Sequence, residues 1–152
     1  MLVENDILIP ELARLLSEEK EVRITPSGDS MRPFIEGGRD SVVIAPLARE
    51  PRRGDILLAR AKAENGQTLY VIHRVLRIET STPNTLHHTP YTYILQGDGN
   101  IEGVETCSRE DIIGRVVRIE TPSGHKKPLT RGLIWQTLRP IRHWLLKIYR
   151  HL

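Results

Sequence analysis

Thr68-Leu69-Tyr70-Val71-Ile72-His73-Arg74-Val75-Leu76-Arg77-Ile78-Glu79 is the stretch on which the fold turns. It is rich in β-branched residues and free of Gly and Pro, the composition of a strand. A strand of this length can bend and serve two sheets. Just before it, Asn65-Gly66 is a two-residue hairpin signal that joins the run to a second strand over Asp55–Arg60. Working outward, Val22–Thr25, Ser41–Ala45, Thr92–Gln96 and Ile112–Glu120 read as further strands. Gly37-Gly38, Pro46, Pro51, Gly54 and Gly97–Gly103 punctuate them. The expected core is mainly β and barrel-like. Residues 80–91, polar and carrying Pro83 and Pro90, read as a surface loop.

The period changes at both ends. Ile7, Leu8, Ile9, Leu12, Leu15 and Leu16 recur at helical spacing over residues 5–19, with Pro10 in the first turn. From about residue 130 a second helical pattern begins. Ile134, Leu138, Ile141, Leu145, Ile148 and Leu152 form an apolar stripe. Arg139, Arg142, His143, Lys147 and Arg150 are expected on the opposite face, with Trp135 and Trp144 flanking the stripe. Pro140 should kink this helix or start a new one.

The chain of 152 residues fits one domain with a real core, and 39% apolar with 27% charged residues is an ordinary globular composition. The single Cys107 excludes an intrachain disulfide, and no metal-ligand spacing surrounds it or His87-His88. No metal and no cofactor are expected. No apolar run reaches the about 18 residues of a membrane span, and no basic leader precedes Glu4 and Asp6. The expected location is cytoplasmic or peripheral at a membrane. The net charge of +3 hides an asymmetry. All 19 acidic residues lie in 1–124 beside 15 of the 22 Lys and Arg, a balance of −4; residues 125–152 hold the other seven and no acid. The basic character therefore belongs to the tail, and nucleic acid is not an expected partner. The tail could lie on an anionic membrane, pack on its own body or receive a partner protein.

The chemistry gathers at three places. Gly28-Asp29-Ser30-Met31-Arg32-Pro33 holds one hydroxyl in a tight turn. Tyr70-Val71-Ile72-His73-Arg74-Val75 sets a histidine inside a strand, and Gln96-Gly97-Asp98-Gly99-Asn100 sets an acid in a turn. A serine hydroxyl becomes a nucleophile when a base accepts its proton, and histidine titrates near neutral pH without tuning. Each of the three has an ordinary structural reading by itself. Their combination and order single out Ser30, His73 and Asp98.

The boxes Ser27–Pro33, Asp40–Ile44, Arg52–Leu58, Val71–Val75, Gln96–Asn100 and Ile112–Val116 stand in an order that resembles the signal peptidase I and LexA-like serine peptidase superfamily. The resemblance implies a coiled antiparallel β fold with an SH3-like barrel element, here flanked by N- and C-terminal amphipathic helices. It divides the chain into a peptidase domain, 1–124, and a basic amphipathic tail, 125–152. It implies Ser30 as nucleophile and His73 as base, the pattern of the archaeal, endoplasmic-reticulum and SipW-type branch in which histidine replaces lysine. Lys62 precedes the Asn65-Gly66 turn and fits the base position poorly.

The branch's aspartate pair falls here on Gly103-Val104, so Asp98 is the expected orienting acid, with Glu102 and Glu105 as alternatives. The Ser30 N–H is the expected oxyanion donor; where some relatives add a serine hydroxyl this chain has Gly28, one residue after Ser27. Met31 and Phe34 are candidates to line substrate pockets. The implied activity is endoproteolysis of a leader or signal peptide, with a peptide or protein as substrate. The alternatives are a self-cleaving LexA/UmuD-like regulator and an inactive adaptor of the same fold. Only 29 residues precede Ser30, and they hold no Ala-Gly or Cys-Gly bond, which argues against the regulator.

Overall fold

The hairpin turn at Asn65-Gly66 is exposed and joins two neighbouring strands in the middle of the sheet. The structure, a computed structural model, describes residues 8–80 and 91–151. Helix α1 spans Leu8–Ser17. Strands follow as β1 (Val22–Ile24), β2 (Ser41–Ala45), β3 (Ile56–Ala63), β4 (Thr68–Thr80), β5 (Tyr91–Gln96), β6 (Glu105–Cys107), β7 (Ile112–Glu120) and β8 (Lys126–Lys127). The chain closes with helices α2 (Leu133–Thr137) and α3 (Arg142–His151). The residues expected as a surface loop, with His87-His88, lie almost entirely outside the described residues, as do Ile7 and Leu152.

β3 and β4 pair antiparallel from Ile56↔Arg74 to Lys62↔Thr68. In the turn, Gly66 takes a φ of 85°, which glycine adopts without strain, and Asn65 Oδ1 accepts from the Gln67 N–H at 2.9 Å. The long strand was expected to serve two sheets; it instead serves two partners within one continuous sheet. At Arg74 it passes to β5, pairing Arg74↔Gln96 through Thr80↔Tyr91, with a register shift between Val75 and Arg77. β5 pairs with β6, and β6 returns to β3 at Lys62↔Thr106, closing a small barrel of β3, β4, β5 and β6. The other side of β3 continues through β7 and β2 to β1.

The fold is mainly β, as the sequence predicts. β6 and β8 were not expected; three and two residues are too short for period two to register. Pro140 starts a new helix, sitting in a 3₁₀ turn over Arg139–Ile141 ahead of α3.

Two clusters fill the interior. Leu57, Ala59, Val71, Val75, Tyr93 and Leu95 pack inside the barrel. Ile9, Leu12 and Leu16 of α1 pack with Met31, Ile35, Val42, Ile44, Leu58, Ile72 and Val116 in the other. The helix forms because its apolar residues fall on one face, and it is held because that face covers the sheet. Leu12→Ala should lower the unfolding free energy by about 2–5 kcal/mol in urea titration, the cost of a buried cavity.

Candidate active site

The serine turn is pinned from beneath. Met31 and Ile35 are fully buried, and the Met31 carbonyl accepts from the N–H groups of Phe34 and Ile35, both at 3.0 Å. The Arg32–Pro33 peptide is cis. The loop's base closes through the Gly38 N–H to the Pro26 carbonyl at 2.8 Å. Beyond the turn, buried Asp40 accepts from the Glu36 N–H at 2.8 Å and from Lys127 Nζ at 2.7 Å. Burial raises the Asp40 pKa, but Lys127, the Glu36 N–H and Arg39 outweigh it and hold the carboxyl below its usual range. Met31 was expected to line a substrate pocket; the structure corrects this, because its side chain fills the core beneath Ser30.

A second turn lies directly against the first. The Gly99 N–H donates to the Ser30 carbonyl at 2.7 Å. A Cβ on Gly97 would stand 2.3 Å from that carbonyl oxygen, and one on Gly99 would stand 2.6 Å from the Asp29 oxygen. Both glycines are therefore required for the close approach of two backbones.

β4 carries the third component. His73 pairs with Leu57 of β3 and is buried. Its Nε2 lies 3.0 Å from Ser30 Oγ, and its Nδ1 lies 2.8 Å from Glu105 Oε2 at the start of β6. An ionised carboxylate only accepts, so Nδ1 carries the proton and Nε2 is left to accept from the serine hydroxyl. Burial pushes the His73 pKa below its ordinary value, opposed by Glu105 and, over a longer range, by Asp98.

The carboxylate that meets His73 is thus Glu105, one of the alternatives, rather than the expected Asp98. Asp98 is engaged by Arg74, the residue after His73. Arg74 Nε lies 2.8 Å and 3.1 Å from the two carboxylate oxygens, and a terminal guanidinium nitrogen lies 2.8 Å from Oδ2. Their side chains are 2% and 3% exposed, so two buried charges neutralise each other. Adjacent strand residues face opposite sides, which is why neighbouring His73 and Arg74 take different carboxylates. Arg74 also donates to the carbonyls of Gly54 at 2.8 Å and Thr130 at 2.7 Å, and lies over the Phe34 ring at 5.1 Å. Ser27, Gly28 and Glu102 are exposed.

Phe34 is half-buried and meets Trp135 edge-on at 6.0 Å. Together with Gly132, Leu133, Ile134 and Leu138 it lines an apolar cavity of about 470 Å³. The tail therefore packs on the body. Trp135 Nε1 donates to the Asp98 carbonyl at 2.8 Å, and Tyr149 Oη to Glu36 at 3.2 Å. Arg142, expected on the exposed face, is buried and donates to the carbonyls of Gly97, at 3.0 Å, and Asn100. The two carbonyls give the buried guanidinium its acceptors, that of Gly97 while also accepting from the Asn100 N–H at 3.0 Å.

Cys107 is buried, and that burial pushes its thiol up to about 12, so it is no competing nucleophile. Among the described residues no three His, Cys, Asp or Glu side chains are grouped to hold a metal ion. The chain matches no protein-family model, no curated protein and no solved structure. What can be said of the site therefore comes from its own geometry. A hydroxyl, an imidazole and a carboxylate stand in series within hydrogen-bond reach, an arrangement able to activate the hydroxyl.

The two acids should behave differently when neutralised. Asp98→Asn leaves Arg74 buried without its counter-charge and should cost about 3–5 kcal/mol of stability. Glu105→Gln should move the denaturation midpoint much less, since Glu105 sits at the half-buried edge of β6.

Proposed function

We propose that this chain is a serine endopeptidase of the signal-peptidase-like type, cleaving a leader or signal peptide. The observation that carries the reading is the Ser30–His73–Glu105 series, found at the positions where the order of sequence boxes calls for nucleophile and base. The closed barrel and the flanking helices are consistent with a LexA- and signal-peptidase-like fold, with the barrel as its SH3-like element.

In this reading Ser30 Oγ attacks the scissile carbonyl carbon while His73 Nε2 takes the hydroxyl proton. The imidazolium that forms is held by Glu105 through Nδ1–H. The tetrahedral oxyanion takes a hydrogen bond from the Ser30 N–H, which no acceptor engages among the described residues. His73 then gives its proton to the leaving amine, and the C–N bond breaks. Water enters, His73 removes its proton, and the acyl ester on Ser30 is hydrolysed.

The substrate's partner is the edge of the sheet. β1 pairs with β2 and stands at the end of the strand order, six residues before Ser30. An extended peptide laid along it would gain main-chain hydrogen bonds and present its carbonyl near the serine turn. The filled acid position weighs against an inactive adaptor, which has no need of an oriented imidazole.

Ser30→Ala and His73→Ala should each lower kcat on a cleavable peptide by about 10⁴–10⁶-fold with the thermal midpoint retained. A Ser30→Ala protein that cleaves at the parental rate would overturn the assignment. The acid limb of kcat/KM should follow deprotonation of His73 and have its midpoint below about 6.5, the ordinary histidine value. Glu105→Gln removes a group that raises that pKa, so its limb should move to still lower pH while kcat falls about 10²–10⁴-fold.

A further inference from the structure

The inner side of the C-terminal tail is used by the body, and its outer side is not. On α3, buried Arg142 and Leu146 and half-buried Leu145 and Tyr149 face inward. Ile141, Trp144 and Ile148 recur at spacings of three and four, so they share one face, and that face is open. Trp144 is 61% exposed and Ile148 58%; Ile134 on α2 is 79% exposed. Of the apolar stripe that the sequence marks, Leu145 is half-buried, while Ile134, Ile141 and Ile148 stay exposed. The buried side is instead held by polar and aromatic contacts of Trp135, Arg142 and Tyr149.

Charge identifies what this face fits. His143, Lys147 and Arg150 form a row beside the apolar stripe, and all three are exposed. Arg139 is exposed one turn earlier. Residues 125–152 contain no acidic residue at all, while every acid of the chain lies before them. An isologous contact with a second copy would bring two such basic surfaces together. Among the described residues no helix is long and apolar enough to cross a membrane. An outward Trp and Ile stripe bordered by cations, on a short helix, has the chemistry of an element that lies in the headgroup layer.

We propose that α2 and α3 seat the protein on an anionic membrane surface, with Ile134, Ile141, Trp144 and Ile148 entering the interface and Arg139 and Lys147 meeting lipid phosphates. The seated helix is the same one that braces the Gly97–Asn100 loop behind Ser30, so the site would be held at the membrane surface. This proposal stands on the tail alone and does not require the peptidase reading.

The test is co-sedimentation of the full chain with vesicles of equimolar phosphatidylcholine and phosphatidylglycerol, beside vesicles of phosphatidylcholine alone. It is run on both the parental protein and Ser30→Ala, so that loss of catalysis and loss of binding are read separately. Both proteins should bind the anionic vesicles, more weakly as salt is raised, and bind the neutral ones poorly. Trp144→Ser with Ile148→Ser should lower the partition coefficient by at least about ten-fold. Arg139→Gln and Lys147→Gln should each lower it about five-fold. A blue shift of tryptophan emission on adding anionic vesicles to the unsubstituted chain gives a reading that needs no variant. Equal binding to both vesicle types, or binding unchanged by the Trp144 and Ile148 substitutions, would overturn the proposal. So would a stable dimer that those substitutions dissociate in a protein that does not bind vesicles, since a second copy would then be the occupant.

Discussion

The buried ion pair of Arg74 and Asp98 is the interaction around which the site is assembled. Removing two charges from water is costly, and the pair is tolerated because all three guanidinium nitrogens and both carboxylate oxygens have partners. Arg74 gives hydrogen bonds to Asp98, Gly54 and Thr130 and covers the Phe34 ring. Those four contacts belong to four different segments: the Gly97–Asn100 turn, the loop entering β3, the start of the tail and the chain just after Ser30. One guanidinium thus ties together four segments that lie around Ser30. Gly132 enters the tail so close that a Cβ would stand 2.7 Å from Arg74 Nε. A planar fork with five donors suits this role in a way that a lysine would not.

The chemistry uses the opposite face of the same strand. Because β4 alternates, the residue beside Arg74 points to Ser30 and Glu105 instead. Burial favours the neutral imidazole, the form that can accept a proton, and Glu105 opposes this only in part. The result is a base that stays available as the pH falls, oriented by a carboxylate from a strand that closes the barrel. Ser30 is equally constrained: its backbone is sandwiched between the core, through Met31, and the glycines of the 97–100 turn. Two packed turns and two strands, β4 and β6, hold the three groups in series.

Much of this was legible in the sequence. Local signals are strong where β-branched residues run between Gly and Pro, so β2 and β7 match their expected bounds and the Asn65-Gly66 hairpin forms as read. Ser30 and His73 were legible because their order along the chain, not either residue alone, is informative. β6 was hidden because three residues carry no periodicity and its pairing to β3 is a long-range closure. Choosing Glu105 over Asp98 needed the same information: spacing alone does not reveal that a buried cation claims the aspartate. Met31 and Arg142 went astray for a related reason. An apolar residue next to the serine can face the core, and an arginine among basic neighbours can be buried where loop carbonyls lie within its reach.

In the proposed mechanism His73 is a neutral base whose proton sits on the Glu105 side. Nitrogen-15 NMR of histidine-labelled protein across pH reads both the tautomer and the titration directly. His73 should show a resonance pattern with Nδ1 protonated and Nε2 unprotonated at neutral pH, converting to the charged form only below the ordinary histidine midpoint. A proton resident on Nε2, or an imidazolium persisting at neutral pH, would contradict it.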